Sequence, residues 1–321
     1  MQNRRNFIKN TAALSAAALT PAWAWESLFD HTGKRKKIGI QLFSLPKLLE
    51  KDFVAAIKML ADMGYKEVEL FGPYTFSAPA AQASWKAVAP MLGFSGSGYF
   101  GKTMQEVKSI LKDHGISTPS AHTDLETLLH HMDKLGEAAD VLGHRYVVLP
   151  AIPEERRKTL DDYKRIIADF NTIGENAKKV GLKFAYHNHG YGLKPVDGQV
   201  PFQMVVEQTD PKLVFLEMDV FWTAAGGIEP VDYLKKYPNR YRALHLKDMR
   251  EKKRFSGDGS NVGQWMELFP YMASAGDGVL DLKNIVQTAQ ANGVQHYFVE
   301  QDLVANPEVA LKRSIDFLKK K

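Results

Sequence analysis

The chain has 321 residues, of which 45% are hydrophobic and 25% charged, as is usual for a soluble globular protein. It contains no cysteine, which excludes disulfides, thiolate metal sites and cysteine nucleophiles, and no apolar run reaches the ~18 to 20 residues of a membrane span. The formal net charge of +5 includes three positive charges in the first 24 residues, and the other basic residues are mostly scattered, so no nucleic-acid partner is expected.

The first 24 residues are typical of an export signal. Arg4 and Arg5 are followed by a weakly apolar, alanine-rich stretch, and Ala22-Trp23-Ala24 is an A-x-A cleavage signature. The paired arginines resemble the twin-arginine signal. We therefore expect a signal peptide over 1–24, a linker over 25–35 and a periplasmic mature protein; the alternative is an N-terminal amphipathic helix of a cytosolic protein.

From residue 36 onward, short apolar or β-branched runs alternate with amphipathic segments of period near 3.6. Eight runs are predicted to be strands, at 38–43, 67–71, 117–122, 146–149, 183–187, 214–219, 243–246 and 297–300. In the last helix, Asn306 and Pro307 are the predicted cap and first residue. Val309, Ile315 and Leu318 are predicted to form its buried stripe.

Strict alternation of eight strands with helices predicts an α/β protein with a parallel sheet closed as a (β/α)8 TIM barrel, one domain over 36–321. A doubly wound open sheet is the alternative. It would normally carry a glycine-rich turn after its first strand, and residues 41–46 contain no glycine. Two long connections, 72–99 after the second strand and 248–278 after the seventh, are predicted to form rims or lids over a pocket.

Polar residues gather where the last four predicted strands end. The fifth strand leads into His187 and His189, the sixth ends at Asp219, the seventh carries His245 and the eighth ends at Glu300. Because buried imidazoles and carboxylates are costly unless they are paired or bind metal, four on consecutive strands predict a metal site at the C-terminal mouth. The mixed nitrogen and oxygen set suits one divalent Mn²⁺, Zn²⁺, Co²⁺ or Fe²⁺ ion.

Short motifs along the chain resemble the sugar phosphate isomerase/epimerase superfamily, the xylose isomerase-like barrels that include inosose dehydratase and ketose 3-epimerases. Their order and spacing over some 280 residues make the resemblance fairly specific. With its leader and YHNH strand, the chain is similar to exported members from saccharide-degrading bacteria. The matching segments are 38–44, 186–189, 216–222, 245–248, 276–279 and 299–302.

The resemblance implies a metal held by Glu, Asp, His and Glu on strands five to eight. Asp219, His245 and Glu300 match the last three, but no glutamate stands at the first position. His187 is predicted to take that ligand role and His189 to face the substrate, although the two could be exchanged. The family's epimerases use two metal-bound glutamates to move protons on opposite faces of the substrate, so the missing one puts the reaction outcome in doubt.

Other residues at the mouth receive predicted roles. Glu300 is the candidate base, His189 would return the proton or assist a leaving group, and Lys247 would hold a substrate oxygen or the developing oxyanion. A salt bridge to a neighbouring carboxylate is the alternative for Lys247. The candidate sugar contacts are His122, Gln41, Glu69, Asn188 and Trp222, and the rings that could stack on a sugar or simply pack are Tyr74, Phe100, Trp222 and Trp265.

The function expected from these features is a metal-dependent isomerase or epimerase acting on a keto-sugar or inosose-like polyol, through proton abstraction next to a carbonyl and a metal-stabilised enediolate. A lyase or dehydratase acting on 3-keto-glycosides or inosose at the same site is the first alternative. A non-catalytic sugar-binding barrel is the second, and a nuclease of the related AP-endonuclease type is disfavoured. Related barrels often form homo-oligomers, but no segment specifies an interface.

Overall fold

In a computed structural model the described residues are 37–320, so the predicted signal peptide at 1–24 and linker at 25–35 lie outside them. The strands are β1 (Gly39–Gln41), β2 (Glu67–Phe71), β3 (Ser117–His122), β4 (Tyr146–Leu149), β5 (Lys183–Asn188), β6 (Val214–Asp219), β7 (Tyr241–Leu246), β8 (Asp248–Met249), β9 (Met272–Ala273) and β10 (His296–Val299). Eight of them form a closed parallel barrel in the order β1, β10, β7, β6, β5, β4, β3, β2. Strands β8 and β9 form a separate antiparallel ribbon.

The barrel strands are surrounded by helices: α1 (Pro46–Lys51), α2 (Phe53–Met63), α3 (Pro79–Leu92), α4 (Met104–Asp113), α5 (Leu125–His130), α6 (Met132–Leu142), α7 (Leu160–Lys179), α8 (Pro201–Gln208), α9 (Val220–Ala225), α10 (Pro230–Lys236), α11 (Val262–Leu268), α12 (Leu282–Ala291) and α13 (Pro307–Lys319). The predicted (β/α)8 barrel is therefore confirmed. Among the described residues, no helix is both long and apolar enough to cross a bilayer.

The inward side chains change from apolar to charged along the later strands. Tyr146, Val148, Ala185 and Phe215 form an apolar cluster of their own. Because successive inward positions are two residues apart, Phe215 is followed on the same face by Glu217 and Asp219, and the same alternation holds on β7 and β10. The barrel interior is thus filled by packing at one end and lined by ionisable groups at the C-terminal end.

Both long connections contain secondary structure and lie over that C-terminal end, as predicted. Residues 72–99 include α3, and residues 248–278 include β8, α11 and β9. Side chains from both segments line the same cavity, among them Trp85 from the first and Trp265 from the second.

One prediction about the last helix is wrong. Asn306 and Pro307 begin α13 as expected, but Val309 is 48% exposed, whereas Leu311, Ile315 and Leu318 are buried. At about 100° per residue, position 309 lies well away from the stripe shared by 311, 315 and 318. Val309 therefore faces outward on the first turn of the helix.

Candidate active site

The ionisable side chains of the barrel interior meet where β5, β6, β7 and β10 end. All of them except Asp302 are buried. Burying a charge costs free energy unless the charge is paired, so the contacts of each group indicate which atoms remain for a ligand. The cluster comprises His187 on β5, Glu217 and Asp219 on β6, His245 on β7, Lys247 just after β7, and Glu300 and Asp302 just after β10.

Glu217 holds the His187 ring so that one ring nitrogen stays free. His187 Nδ1 lies 2.9 Å from Glu217 Oε2, and an N–H facing a carboxylate fixes the tautomer with the lone pair on Nε2. Nε2 is buried and has no hydrogen-bond partner within the described residues. Burial, together with the charge of His245, lowers the pKa of His187 well below its usual range. The ring is therefore neutral, which is the form that binds a metal.

Asp219 is held in a comparable way by the backbone. Its Oδ1 accepts a hydrogen bond of 3.0 Å from the backbone N–H of Trp222 and so caps α9. Its other oxygen, Oδ2, is buried and lies 4.0 Å from His187 Nε2. This oxygen faces the ammonium of Lys247 at 3.0 Å. A strand end followed directly by a helix start thus directs one carboxylate oxygen into the cluster.

The ring of His245 lies between carboxylates. Nδ1 is 2.8 Å from Glu300 Oε2, and Nε2 is 2.7 Å from Glu69 Oε2. Burial disfavours the charged ring, but the charges of Glu217 and Glu300 outweigh burial and raise the pKa of His245 well above its usual range. Ligand atoms of Asp219, His245 and Glu300 all lie within 4.8 Å of one another.

Lys247 is a fully buried cation in the same cluster. Its Nζ lies 3.0 Å from Asp219 Oδ2 and 2.8 Å from Glu300 Oε2, and it donates a hydrogen bond to Asp302. Burial alone would lower its pKa, but the three carboxylates raise the pKa of Lys247 well above its usual range. Burial raises the pKa of Asp302 to about 6 in spite of the ammonium group. The ammonium of Lys247 therefore neutralises part of the excess negative charge.

A second set of polar groups contacts these residues from the side of β1, β2 and β3. Glu69 accepts hydrogen bonds from Gln41 Nε2 at 2.8 Å and from the Ser120 hydroxyl. His122 Nε2 lies 3.1 Å from Glu69 Oε2 and 2.8 Å from Glu217 Oε2. Burial opposes the charged ring, but these two carboxylates raise the pKa of His122 to about 9. This set orients His245 and, through Glu217, His187.

His189 lies at the wall of a cavity of about 700 Å³ that covers the cluster. Its Nδ1 is 2.8 Å from the Pro150 carbonyl oxygen, so Nδ1 carries the proton and Nε2 the lone pair. The ring stacks on Trp265 at a centroid distance of 4.9 Å. Burial and the charge of Lys247 lower the pKa of His189 to about 3, so the ring is neutral.

The carboxylate of Asp248 connects two of the matching segments, 245–248 and 276–279. Its carboxylate accepts hydrogen bonds from the backbone N–H groups of Gly276 at 2.9 Å, Gly278 at 3.1 Å and Leu280 at 3.2 Å. A Cβ at position 278 would lie 2.3 Å from Asp248 Oδ1, so the loop can close on the carboxylate only with glycine there. Asp248 thus fixes the end of the second long connection.

The cluster fits a divalent metal. Two ligand atoms bound at about 2.0–2.2 Å to one ion can lie up to roughly 4 Å apart, which matches the separation of His187 Nε2 and Asp219 Oδ2. Asp219, His245 and Glu300 form one group of ligand atoms within 4.8 Å of one another, and His187 joins this group through Asp219. To bind an ion, His245 would lose a proton and its contact to Glu69 or Glu300. A second buried group, made of His122, His187, Glu217 and His245, also has its ligand atoms within 4.8 Å of one another, although the contacts of His122 and Glu217 are used within the protein.

The structure brings most of the predicted site residues to the cavity. Its lining includes predicted ligands and bases and two of the predicted stacking rings: Gln41, His122, His187, His189, Glu300, Trp222 and Trp265. Asp219, His245 and Lys247 lie directly behind this surface, in contact with Glu300 or His187.

Other predicted contacts lie away from the cavity lining. Glu69 is fully buried within the second set of polar groups, and Asn188 bonds the backbone of the turn that follows it, at Gly190 and Tyr191. Tyr74 stacks on Phe76 at 5.3 Å, and Phe100 packs against Phe71 at 5.8 Å.

Two functional residues were not predicted from the sequence. Glu217 contacts His187, His122 and His245, and Asp302 pairs with Lys247. The signal for Glu217 was present, because it lies two residues before Asp219 and therefore on the same face of β6. Asp302 is likewise two residues beyond Glu300, but it lies past the end of β10, where strand alternation no longer predicts direction.

The amino-acid sequence of the chain is similar to those of known proteins. A family model described as a xylose isomerase-like TIM barrel matches residues 56–321. The inosose dehydratase of Clostridium tetani is 31% identical over 171 residues, which cover 51% of this chain and 56% of that protein. The match thus spans a little over half the length of this relative.

Solved structures resemble the chain over nearly its whole length. A sugar phosphate isomerase/epimerase from Parabacteroides distasonis superposes with a TM-score of 0.69 at 23% identity, over 91% of this chain and 98% of its own. A structure described as IOLI protein with a binding zinc atom superposes with a TM-score of 0.62 at 14% identity, over 88% of this chain and 95% of its own. At such identities the likeness concerns the fold.

Proposed function

Because the chain belongs to the family of xylose isomerase-like TIM barrels, we propose that it is a divalent-metal-dependent isomerase or epimerase. Its substrate would be a keto-sugar or an inosose-like polyol, and the key step is removal of a proton from the carbon next to the carbonyl. The observation that carries this proposal is that His187 Nε2, which has no partner among the described residues, lies beside the buried carboxylates of Asp219 and Glu300 at a cavity of about 700 Å³.

The proposed metal ligands are His187, Asp219, His245 and Glu300. A zinc ion in a related barrel supports this assignment, as does the mixed nitrogen and oxygen set, which also suits Mn²⁺, Co²⁺ and Fe²⁺. When bound, the metal would act as a Lewis acid that polarises the carbonyl of the substrate and so acidifies the neighbouring C–H.

Glu300 is the proposed base. Burial opposes its ionisation, but the charges of Lys247 and His245 outweigh burial and lower its pKa below the usual range, so the carboxylate is ionised, the form that a base needs. Its place in the cavity lining gives it access to a substrate C–H. Removal of that proton forms an enediolate, and the ammonium of Lys247 would stabilise its developing negative charge.

His189 is the proposed partner in proton transfer. Its ring is neutral and its Nδ1 is engaged by the Pro150 carbonyl, which leaves Nε2 to accept or pass on a proton. Trp222 and Trp265 form the adjoining surface and would exclude water and stack on the sugar. Return of a proton to the same carbon on the opposite face gives epimerisation, and its delivery to the former carbonyl carbon gives isomerisation.

Elimination is the second candidate reaction, and the position of Glu217 favours it. That carboxylate hydrogen-bonds His122 and His187 and does not line the cavity, so it is not placed to serve as a second base on the opposite face of the substrate. One carboxylate base with a histidine that assists a leaving group suits a dehydratase or lyase. The inosose dehydratase relatives point the same way.

The test is solvent exchange. The Zn²⁺- or Mn²⁺-loaded protein is incubated in D₂O with a panel of keto-sugars and inosose, and deuterium at the carbon next to the carbonyl is followed by NMR. Exchange should need the metal and fall by at least roughly 10²–10⁴-fold in Glu300→Gln, the effect of losing a general base, to which weaker metal binding would add; Glu308→Gln on α13 is the control. A dehydrated product would favour elimination, whereas tight binding without exchange would support a sugar-binding barrel instead.

We also propose that the protein is exported to the periplasm, on the strength of the paired Arg4 and Arg5 and the Ala22-Trp23-Ala24 cleavage signature. A free or glycosidic sugar, rather than a phosphorylated intermediate, is the substrate expected there.

A further inference from the structure

The cavity has two chemically different halves. On one side lie His187, Glu300 and Asp302 at the ends of β5 and β10. The other side is formed by α3 and the ends of β1 and β2. There the lining includes Gln41 and Ser84 and is otherwise dominated by what we call the apolar wall, made of Phe43, Phe71, Ala80, Ala81, Trp85 and Val88.

The apolar wall is preformed rather than collapsed onto the site. Phe43 and Phe71 meet edge to face at 5.2 Å, and Phe71 packs on Trp85 at 6.0 Å. The indole N–H of Trp85 donates to the Ser95 carbonyl at 2.7 Å, so its polar edge is occupied by the protein. Val88, at the outer end of the wall, is 40% exposed although it lines a cavity. These contacts fix the three rings in place and leave an apolar surface exposed at the mouth of the cavity.

The side chain of Gln41, next to the wall, is engaged by the protein itself. The Gln41 amide donates to Glu69 at 2.8 Å, and its oxygen accepts from the Phe43 backbone N–H at 3.2 Å. A second sugar on this surface would lose hydrogen bonds to water without regaining them, which costs free energy. An apolar ring would instead gain about 25 cal/mol per Å² of surface removed from water.

The volume of the cavity also exceeds the need of a single sugar. About 700 Å³ lies within the range of roughly 300–1,000 Å³ that holds drug-sized ligands. A monosaccharide held at the ionisable half would leave the apolar wall uncovered, and an uncovered apolar surface inside a site usually has a ligand group to cover it.

We propose that the apolar wall is a subsite for an apolar, preferably aromatic, group joined to the sugar, so that the substrate is a keto-glycoside with an aryl aglycone. The proposal rests on the proposed function for the position of the sugar. The ionisable half holds the sugar ring, and the aglycone lies across the mouth of the cavity on Trp85 and Val88.

The experiment compares two probes that differ only in the aglycone, methyl 3-keto-glucoside and phenyl 3-keto-glucoside. Binding of each to the full chain is measured by calorimetry with Zn²⁺ present. The phenyl compound should bind about tenfold tighter or better, as expected for burial of an apolar group of that size. Val88→Asp should abolish this preference and leave binding of the methyl compound unchanged.

Met91→Asp is the matched control. Met91 lies on the same helix, is 63% exposed and does not line the cavity, so the same new charge should leave the preference intact. Since both positions are well exposed, both variants should fold, and thermal unfolding checks this. The two variants then differ only in whether the carboxylate faces the cavity.

Equal affinity for the two glycosides, no measurable binding of the phenyl compound, or a preference that survives Val88→Asp would each overturn the aryl subsite. Failure of the proposed function is a separate result, namely no metal-dependent deuterium exchange with any keto-sugar. A phenyl preference without exchange would keep the subsite and remove the enzyme. Exchange without a phenyl preference would keep the enzyme and remove the subsite.

Discussion

His187 Nε2 and Asp219 Oδ2 lie 4.0 Å apart in the barrel interior, and residues 37–320 offer His187 Nε2 no hydrogen-bond partner. Glu217 holds the other ring nitrogen of His187, and the backbone N–H of Trp222 holds the other oxygen of Asp219. Asp219 Oδ2 faces the Lys247 ammonium at 3.0 Å, so a metal ion that joins the two atoms would share this oxygen with Lys247. An unpaired buried acceptor is rare, and a cation beside His187 Nε2 would satisfy it.

The first prediction concerns metal content. The purified protein should bind about one divalent transition metal, since four donors suffice for such an ion. His187→Ala, Asp219→Ala, His245→Ala and Glu300→Ala should each lose it, as measured by elemental analysis after dialysis. His189→Ala is the control, because the His189 ring is held by the Pro150 carbonyl on the cavity wall. Loss of metal in His189→Ala with retention in His187→Ala would exchange the roles of the two histidines.

The second prediction concerns Glu217, which orients His187 through the 2.9 Å contact to Nδ1. Glu217→Gln should weaken metal binding by about 10–100-fold, the usual effect of removing a carboxylate behind a histidine ligand. Titration against a competing chelator measures the change. Glu207→Gln, at an exposed position on α8, is the control and should leave the affinity for the metal unchanged. An equal affinity in Glu217→Gln would mean that His187 does not bind through Nε2.

Most of the fold could be predicted because each strand carries a local signal. The bounds of β2, β3, β4 and β6 coincide with the predicted runs, and β5 extends one residue further, to Asn188. A strand buried on both faces gives a continuous apolar run, so the length of β4 is visible in the sequence. Strands β2 and β3 contain polar residues, and their place in the regular alternation with helices identified them. The phase of a helix is harder to predict when few apolar residues define it, which is why Val309 was assigned to the wrong face of α13.

The site could be predicted only in part, for a physical reason. Strand alternation identifies which residues face inward, and it correctly brought His187, Asp219, His245 and Glu300 to one end of the barrel. Alternation does not show which inward side chains line the cavity and which only contact the lining residues. Glu69 and Glu217 face inward like the others, but their depth, fixed by the stagger between neighbouring strands, places them among the supporting groups.

The third prediction concerns His144, which lies outside the site. Burial lowers its pKa to about 4, and its Nδ1 is 2.8 Å from the Thr118 carbonyl oxygen. The unfolded chain, with a pKa near 6.5, takes up the proton first, so stability falls as pH drops from about 6.5 to 4, by about 1.4 kcal/mol per pH unit. His144→Asn keeps a donor but does not titrate. Between pH 7 and pH 5, the free energy of unfolding of this variant should therefore fall by about 2 kcal/mol less than that of the wild type.

Urea unfolding at the two pH values measures this difference. His130→Asn is the control, because that ring is exposed. This variant should lose as much stability between the two pH values as the wild type does. If His144→Asn and the wild type lose stability in parallel, the His144 ring is not held neutral in the folded protein.

The fourth prediction concerns export. In a host with twin-arginine transport, the full chain should reach the periplasm and lose residues 1–24, so that mass spectrometry finds a mature chain beginning at Trp25. Replacing Arg4 and Arg5 together by lysine should keep the precursor in the cytoplasm, whereas Arg35→Lys, beyond the leader, should have no effect. A full-length chain in the cytoplasm of the unmodified strain would remove the periplasmic assignment.

The fifth prediction follows from the oxygens that Lys247 shares with the proposed metal. Its Nζ lies 3.0 Å from Asp219 Oδ2 and 2.8 Å from Glu300 Oε2, so an ammonium and a divalent ion would repel each other across the same carboxylates. Lys247→Met should bind Zn²⁺ more tightly than the wild type. Without metal it should be less stable by about 3–5 kcal/mol, because buried carboxylates lose their cation.

Zn²⁺ should therefore raise the melting temperature of Lys247→Met more than that of the wild type, since a tighter ligand stabilises the folded state more at the same concentration. Lys312→Met is the matched control. Lys312 pairs with Asp316 at the surface of α13, where a single ion pair is worth less than about 1 kcal/mol, and its removal should not alter the response to metal. If Zn²⁺ stabilises Lys247→Met less than the wild type, Lys247 supports the metal ligands rather than weakening the binding of the ion.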